Sequence, residues 1–226
     1  MGFLFLLLSL GCGVAGWLAE SLVGKIIAFS ATVAFLGIGA AYGFRWPGLL
    51  GKKPAGNLPL SSYVVFWPFH LLNYASLILF RWSGQSAPFT EILPGLYLGG
   101  RVSSRDVRAL TESRISAVLD LTSEFSEIHS LREATAYMCI PLLDRTAPSA
   151  AELDTAIRFI REQSQRGPVY VHCALGHGRS ATVVLAYLLA SGRFARFEDA
   201  MIHIQNKRPR VRLNPNQLRA LQEFFA

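Results

Sequence analysis

The chain has 226 residues, of which 51% are hydrophobic, and it carries a formal net charge of +7. That length allows one domain of ordinary size with a further segment attached. Three cysteines exclude a disulfide framework, and the basic residues lack the interleaved aromatic residues of a nucleic-acid motif, so we expect no nucleic-acid partner.

The hydrophobic residues are concentrated at the N-terminal end of the chain. One run from Phe3 to Ala19 has no charged residue, and a second run from Leu22 to Phe44 contains only Lys25. Each run approaches the roughly 20 residues that a helix needs to cross a bilayer. Because only a tight turn separates the runs, we predict a transmembrane helical hairpin over residues 1–44. An apolar core helix is the alternative for each run.

Residues 45–90 are predicted to be a linker that carries a third hydrophobic run from Tyr63 to Phe80. Pro68 weakens this run as a span, whereas Trp67 and Trp82 are residue types that favour the membrane interface. Three membrane arrangements remain open, namely a third span, a re-entrant segment and a helix lying on the surface. A core helix of a soluble domain is the remaining alternative.

Basic residues after the second run indicate an orientation. Arg45, Lys52 and Lys53 follow that run, and the positive-inside rule places such a loop in the cytoplasm. If the third run does not cross the bilayer, the rest of the chain is cytoplasmic, and if it crosses, the rest lies outside. We predict an integral membrane protein with its soluble domain in the cytoplasm.

Residues 91–226 have the charge density of a soluble domain, and predicted strands and helices alternate along them. Ser149 and Glu152 have the spacing of a helix-capping box. The alternation predicts an α/β fold with a mostly parallel central sheet flanked by helices. Within residues 92–100 we predict a short strand that is entered by a Pro-Gly turn. Further strands are predicted at 115–121, 137–142 and 169–171. The helices are predicted from Ser103 or Ser104 to Glu112 and at 124–134, 149–165, 180–191, 197–206 and 214–225.

The most informative segment reads His-Cys-Ala-Leu-Gly-His-Gly-Arg-Ser at residues 172–180. It lies between a predicted strand and a predicted helix, where free backbone N–H groups and the helix dipole favour an anion. Gly176 and Gly178 let the loop amides turn inward. Arg179 offers a bidentate contact to phosphate oxygens, and the same field stabilises a nucleophilic thiolate on Cys173. The alternative is a small buried cysteine before an ordinary glycine turn.

We therefore predict a loop that binds a phosphate group and attacks it through the cysteine. The predicted phosphate-binding residues are Ala174, Leu175, Gly176, His177, Gly178 and Arg179.

Residues 91–226 resemble the cysteine-dependent protein tyrosine phosphatase superfamily, specifically its dual-specificity branch. The resemblance depends on the His-Cys-x-x-Gly-x-x-Arg-Ser loop. Ile-Leu-Pro-Gly-Leu-Tyr-Leu-Gly at 92–99 is similar to the opening of that domain, and Asn-Pro-Asn-Gln at 214–217 is similar to the start of its closing helix. It implies a phosphatase that works through a phosphocysteine intermediate without a metal or cofactor.

The resemblance also points to the acid of the reaction. Asp144 follows the strand at 137–142, where the family keeps a general acid that protonates the leaving oxygen. A cap of a turn is the alternative role for Asp144. Ser180 is placed to donate a hydrogen bond to the sulfur of Cys173, and His172 is expected to order the loop.

The predicted membrane segments leave two substrate classes open. The enzyme acts on a lipid phosphomonoester within reach of the bilayer, or the anchor localises a phosphatase of phosphotyrosine, phosphoserine or phosphothreonine in proteins. A membrane-tethered pseudophosphatase that binds phosphorylated ligands without turnover is the alternative function.

Three further side-chain predictions follow from the sequence. A half-protonated His177 would make phosphate binding sensitive to pH. The basic run of Lys207, Arg208, Arg210 and Arg212 either meets anionic headgroups or forms a solvated face. Cys139 is a buried strand residue or the partner of Cys173 in a regulatory disulfide.

Overall fold

The computed structural model describes residues 1–84, 87–103, 106–134 and 136–226, with the side chain of residue 134 also left undescribed. Ser104, one of the two predicted caps of the first helix of the domain, lies outside these residues. The helices are α1 (Gly2–Leu18), α2 (Leu22–Gly43), α3 (Leu60–Val65), α4 (Trp67–Trp82), α5 (Val107–Glu112), α6 (His129–Ala134), α7 (Ala150–Ser164), α8 (Arg179–Ala190), α9 (Phe197–Lys207) and α10 (Pro215–Phe225), with a 3₁₀ turn at Pro47–Leu50. The strands are β1 (Phe89–Leu93), β2 (Leu96–Gly100), β3 (Ala117–Thr122), β4 (Ala136–Leu142) and β5 (Val169–Cys173).

The five strands form one sheet in the order β1-β2-β5-β3-β4. Strands β2, β5, β3 and β4 are parallel, whereas β1 pairs with β2 in the antiparallel sense. The sheet is therefore mixed. The short strand predicted after the Pro-Gly turn is β2, and the antiparallel strand β1 before that turn was not predicted. Gly95 has φ 77° and turns the chain between β1 and β2, which a residue with a Cβ adopts only at a cost.

The start of one predicted helix of the domain is confirmed, and the start of another is wrong. Ser149 and Glu152 form the predicted capping box at the start of α7, with Glu152 Oε2 2.7 Å from the Ser149 backbone nitrogen. The helix predicted over 124–134 is wrong in its first half, because α6 begins at His129. The residues before it form a buried loop that supports the candidate active site.

The two N-terminal helices pack against each other as a hairpin. Ser9 donates a hydrogen bond from Oγ to the carbonyl oxygen of Thr32 over 2.9 Å. Gly39 allows the close approach, because a Cβ there would lie 2.7 Å from the side chain of Leu6.

Only one of these helices has the dimensions of a span. Within the described residues, α2 is the helix long and apolar enough to cross a bilayer. The prediction of two transmembrane helices is not met, because α1, with 17 residues, extends about 25 Å and the hydrocarbon core is about 30 Å thick.

Residues 45–90 contain the 3₁₀ turn, α3, α4 and the start of β1, and they pack against the rest of the chain. Leu50, Leu58 and Phe69 share a buried cluster with Leu143, which directly precedes Asp144. The apolar core of the N-terminal segment thus continues into the loop that carries the predicted acid.

Candidate active site

The predicted phosphate loop connects the end of β5 with the start of α8. Gly176 has φ 75°, and a Cβ there would lie 2.3 Å from the Gly99 carbonyl carbon, so only glycine fits. Gly178 has an ordinary φ of −116° and packs closely against Gln217, where a Cβ would lie 3.2 Å from the side-chain amide. On the outer side of the loop, the Ala174 carbonyl accepts a hydrogen bond from the Arg101 backbone over 2.9 Å.

The sulfur of Cys173 is surrounded by hydrogen-bond donors. The Gly176 backbone N–H lies 3.3 Å from Sγ, and the Ser180 hydroxyl lies 3.2 Å from it. Burial opposes ionisation, but the positive charge of Arg179 and the hydrogen bonds from Ser180 and Gly176 outweigh it and lower the pKa of the Cys173 thiol. The site therefore favours a thiolate.

Arg179 is fully buried and is held by a residue that the sequence reasoning passed over. Its Nη1 and Nη2 donate to the two carboxylate oxygens of Glu124 over 2.9 and 2.6 Å, and Nη1 also donates to the Leu142 carbonyl over 2.7 Å. Burial opposes the Glu124 charge, yet Arg179 holds the pKa of Glu124 below its usual range. The Nε–H of Arg179 is buried without a partner among the described residues, and it is a free donor for a phosphate oxygen.

Asp144 lies beside this guanidinium. Its Oδ1 is 3.2 Å from Arg179 Nη2, and its side chain is 47% exposed. The loop that carries it is held by a turn from the Thr146 N–H to the Leu143 carbonyl over 3.1 Å. Gln217 of α10 donates to the Thr146 carbonyl over 3.1 Å and thereby joins this loop to Gly178. The structure thus brings the predicted acid, nucleophile and arginine together.

A buried polar network lies beneath the phosphate loop. His172 Nε2 is 2.8 Å from Glu127 Oε2, and its Nδ1 is 3.3 Å from the Cys173 carbonyl oxygen. Burial disfavours a charged imidazole, but Asp120 and Glu127 outweigh it and raise the pKa of His172. The Nδ1 contact holds the backbone carbonyl of the nucleophile in place.

Lys52 of the N-terminal segment completes this network. Its Nζ lies 2.5 Å from Asp120 Oδ2 and donates to the Thr122 carbonyl and hydroxyl over 2.7 and 2.8 Å, and both charged side chains are fully buried. Asp120, Glu127 and His172 have ligand atoms within 4.8 Å of one another, the spacing of a metal site. They do not fit a metal ion here, because the Lys52 ammonium lies directly against Asp120 and already compensates its charge.

Two basic residues around the loop, His177 and Arg208, differ from what the sequence indicated. Burial, together with Arg208 and Arg210, lowers the pKa of His177 to about 4, so His177 is neutral at pH 7 and does not titrate there. Arg208 is not available to headgroups, because it is buried and donates to the carbonyls of Gly176 and Leu175 over 2.9 and 3.2 Å. It braces the phosphate loop from outside.

Cys139 is a free thiol on β4, and β3 lies between it and the strand of Cys173. In register, Asp120 is the residue between Cys139 and His172. Two strand spacings amount to about 9.5 Å, which exceeds the Cα separation that a disulfide bridges. The predicted disulfide alternative therefore does not fit, and burial raises the pKa of Cys139 to about 12.

A cysteine thiolate at a loop of inward amides, a buried arginine with a free N–H and an adjacent carboxylic acid define a phosphatase of the cysteine-dependent class. Comparison with known proteins agrees. Residues 96–226 match the family described as dual specificity phosphatase, catalytic domain, and the chain belongs to that family. It is a cysteine-dependent phosphatase of the dual-specificity type.

Individual relatives include enzymes named for lipid and for protein substrates. The chain is 32% identical over 168 residues to phosphatidylglycerophosphate phosphatase PTPMT2 of Arabidopsis thaliana, covering 71% of this chain and 72% of the relative. It is 33% identical over 136 residues to dual specificity protein phosphatase 22 of Homo sapiens, covering 59% and 72%. The crystal structure of PTPMT1 in complex with PI(5)P is 25% identical, with a TM-score of 0.54 and coverage of 61% of this chain and 94% of that one.

Proposed function

We propose that this chain is a membrane-anchored phosphatase that hydrolyses the phosphomonoester of a membrane lipid through a phosphocysteine on Cys173. The observation that supports it most directly is the packing of the apolar N-terminal segment against the loop that carries Asp144. Leu143, which directly precedes Asp144, is buried among N-terminal residues. The phosphatase relative named for a lipid substrate and the neighbour bound to PI(5)P support the same substrate class.

The first chemical step follows from the geometry of the loop. The Cys173 thiolate attacks phosphorus, the loop amides and the free Arg179 N–H bind the non-bridging oxygens, and the bond to the lipid oxygen breaks. Asp144 protonates that oxygen, so the lipid leaves as an alcohol. Arg179 exchanges its contact with Asp144 for the phosphate as the substrate enters.

The second step releases the phosphate. The Asp144 carboxylate takes a proton from water, the water oxygen attacks the phosphocysteine, and the sulfur leaves as a thiolate. The Ser180 hydroxyl, 3.2 Å from Sγ, donates a hydrogen bond that stabilises the departing thiolate. Inorganic phosphate and the free enzyme are the products.

The outward face of the hairpin supports membrane attachment. Phe3, Leu10 and Ile26 are 73%, 66% and 60% exposed, and α4 also exposes the apolar side chains of Leu79 and Trp82. Large exposed apolar areas are uncommon on monomeric soluble proteins and mark membrane or partner contacts. We infer that α2 anchors the chain, that α4 lies in the interface and that the catalytic domain is on the cytoplasmic side, where thiols stay reduced.

The test is phosphate release by the full chain in detergent micelles, with Cys173→Ser as the blank. Phosphatidylglycerophosphate, a phosphotyrosine peptide and a phosphothreonine peptide are offered side by side at equal concentration. We expect Cys173-dependent release that is fastest on the lipid. Faster release from a peptide would favour the protein phosphatase function, and absence of release from all three would favour the pseudophosphatase.

A further inference from the structure

Beside Asp144 the structure has a cleft of about 990 Å³ that the proposed chemistry does not otherwise use. Gly2 and Tyr42, at the inner end of the hairpin, line one side of the cleft, and α10 lines the other. The cleft therefore lies between the acid loop and the point where the apolar hairpin meets the catalytic domain.

Three exposed arginines line this cleft: Arg45, Arg145 and Arg219. In the part of the chain that the structure describes, none of their guanidinium groups forms an ion pair or a side-chain hydrogen bond. Unpaired guanidinium groups around a concave surface favour anions with several oxygens, such as a phosphate.

Three carboxylates also line the cleft, and among the described residues none of them lies within ion-pair distance of Arg45 or Arg145. Asp144 faces Arg179 over 3.2 Å, and Glu152 accepts hydrogen bonds from Ser149 in the capping box of α7. Glu223 lies in the last turn of α10, on the same helix as Arg219.

The backbone at two of these arginines is left-handed. Arg45 has φ 50° and Arg145 has φ 61°, a conformation that residues with a Cβ rarely adopt. Glycine fits both positions more easily, above all the position that follows α2. Either guanidinium can therefore be removed by a glycine substitution without straining the backbone.

We propose that this cleft binds a second anionic group of the lipid substrate, a phosphodiester, while the terminal phosphomonoester occupies the loop at Cys173. The inference deepens the proposed function and rests on it. Arg45 and Arg145 hold the diester, and the acyl chains leave the cleft along the hairpin. The enzyme then prefers lipids with two phosphate groups over lipids with one.

The experiment compares two lipids in vesicles of phosphatidylcholine, using the full chain in each case. Phosphatidylglycerophosphate carries a phosphomonoester and an internal phosphodiester, whereas phosphatidic acid carries the phosphomonoester alone. The variants Arg45→Gly and Arg145→Gly suit the left-handed backbone, so they remove a guanidinium without straining the fold. Arg114→Gly is the matched control, because Arg114 has φ 54° and is exposed outside the cleft.

The readout is the ratio of kcat/KM for the two lipids. We expect each cleft variant to lower this ratio about tenfold, the value of a charge-assisted hydrogen bond, and the control variant to leave it unchanged.

Two outcomes separate the inference from the proposed function. Hydrolysis of both lipids with the same ratio in the wild type and all variants would overturn the cleft site and leave the lipid phosphatase standing. A wild-type enzyme that releases phosphate from peptides but from neither lipid would overturn both.

Discussion

Replacing Lys52 by methionine tests whether the N-terminal segment is a structural part of the catalytic domain. Lys52 Nζ lies 2.5 Å from Asp120 Oδ2, and neither side chain is exposed to solvent. Methionine has a similar length but no charge, so the variant keeps most of the packing and leaves the Asp120 carboxylate buried without its main partner.

The expected loss of unfolding free energy depends on the contacts that Asp120 keeps in the variant. Breaking a buried ion pair by removing one partner costs about 3–5 kcal/mol. Asp120 retains the Tyr137 hydroxyl at 2.7 Å and the Thr122 backbone N–H and hydroxyl at 2.8 Å, so we expect the lower end, about 3 kcal/mol. For a chain of this size that loss lowers Tm by about 10 °C.

The assay is thermal unfolding of the full chain in detergent micelles, followed by tryptophan fluorescence. Lys53→Met is the matched control, because Lys53 is the adjacent lysine and is exposed. We expect its Tm to stay within about 2 °C of the wild type, as for most surface substitutions. The double variant Lys52→Met/Asp120→Asn should recover most of the loss, because a neutral amide replaces the carboxylate that Lys52 no longer compensates.

The pH dependence provides a second check. Burial opposes the Asp120 charge, but Lys52 and His172 hold the pKa of this carboxyl below its usual range. The stabilisation by the charged form is therefore complete above about pH 4, the pKa in the unfolded chain, and is lost as the pH falls through the lower folded value. In Lys52→Met the carboxyl protonates at higher pH, so the difference in Tm should shrink on acidification. Equal stability of Lys52→Met and wild type at pH 7 would refute the reasoning.

Three further variants examine the catalytic groups. Glu124→Gln removes the charge that holds Arg179. It should lower kcat for p-nitrophenyl phosphate about tenfold or more and lower the free energy of unfolding by about 3 kcal/mol. Unchanged kinetics would show that the ion pair does not position the arginine. Ser180→Ala removes a hydrogen bond that lowers the pKa of Cys173. In the wild type the pH midpoint of alkylation by iodoacetamide should lie below that of free cysteine, and in the variant it should rise. An unchanged midpoint would contradict this role of Ser180. Asp144→Asn should slow hydrolysis of alkyl phosphates by about 10²–10⁴ and of p-nitrophenyl phosphate much less, whereas an equal loss on both would remove Asp144 from the acid role.

Local sequence patterns were sufficient for much of the catalytic domain. The alternation of strands and helices predicted the α/β fold, and the Ser149–Glu152 spacing predicted the start of α7, because both features depend on neighbouring residues. The geometry of Cys173, Arg179 and Asp144 agrees with their predicted proximity, because loops at the carboxyl ends of parallel strands share one edge of the sheet.

The residues that the sequence did not indicate are those with distant partners. Glu124 was assigned to a polar helix, although it lies in a buried loop and forms an ion pair with Arg179, 55 positions later. Lys52 was counted as a basic residue flanking a membrane segment, although its partner Asp120 lies 68 positions away. An isolated charged residue beside a hydrophobic run has the same local pattern whether it faces lipid headgroups or a buried carboxylate.

The most direct test of the central proposal is to identify the covalent intermediate formed from a lipid. Ser180→Ala, which lacks the hydrogen bond to the departing thiolate in the second step, is mixed with vesicles that contain phosphatidylglycerophosphate, quenched in acid within seconds and analysed by peptide mass spectrometry. We expect one phosphoryl group on the peptide that contains Cys173, and none when Cys173→Ser is combined with the same variant. Lipid hydrolysis with no phosphoryl group on Cys173, or with the group on another residue, would contradict the proposed mechanism.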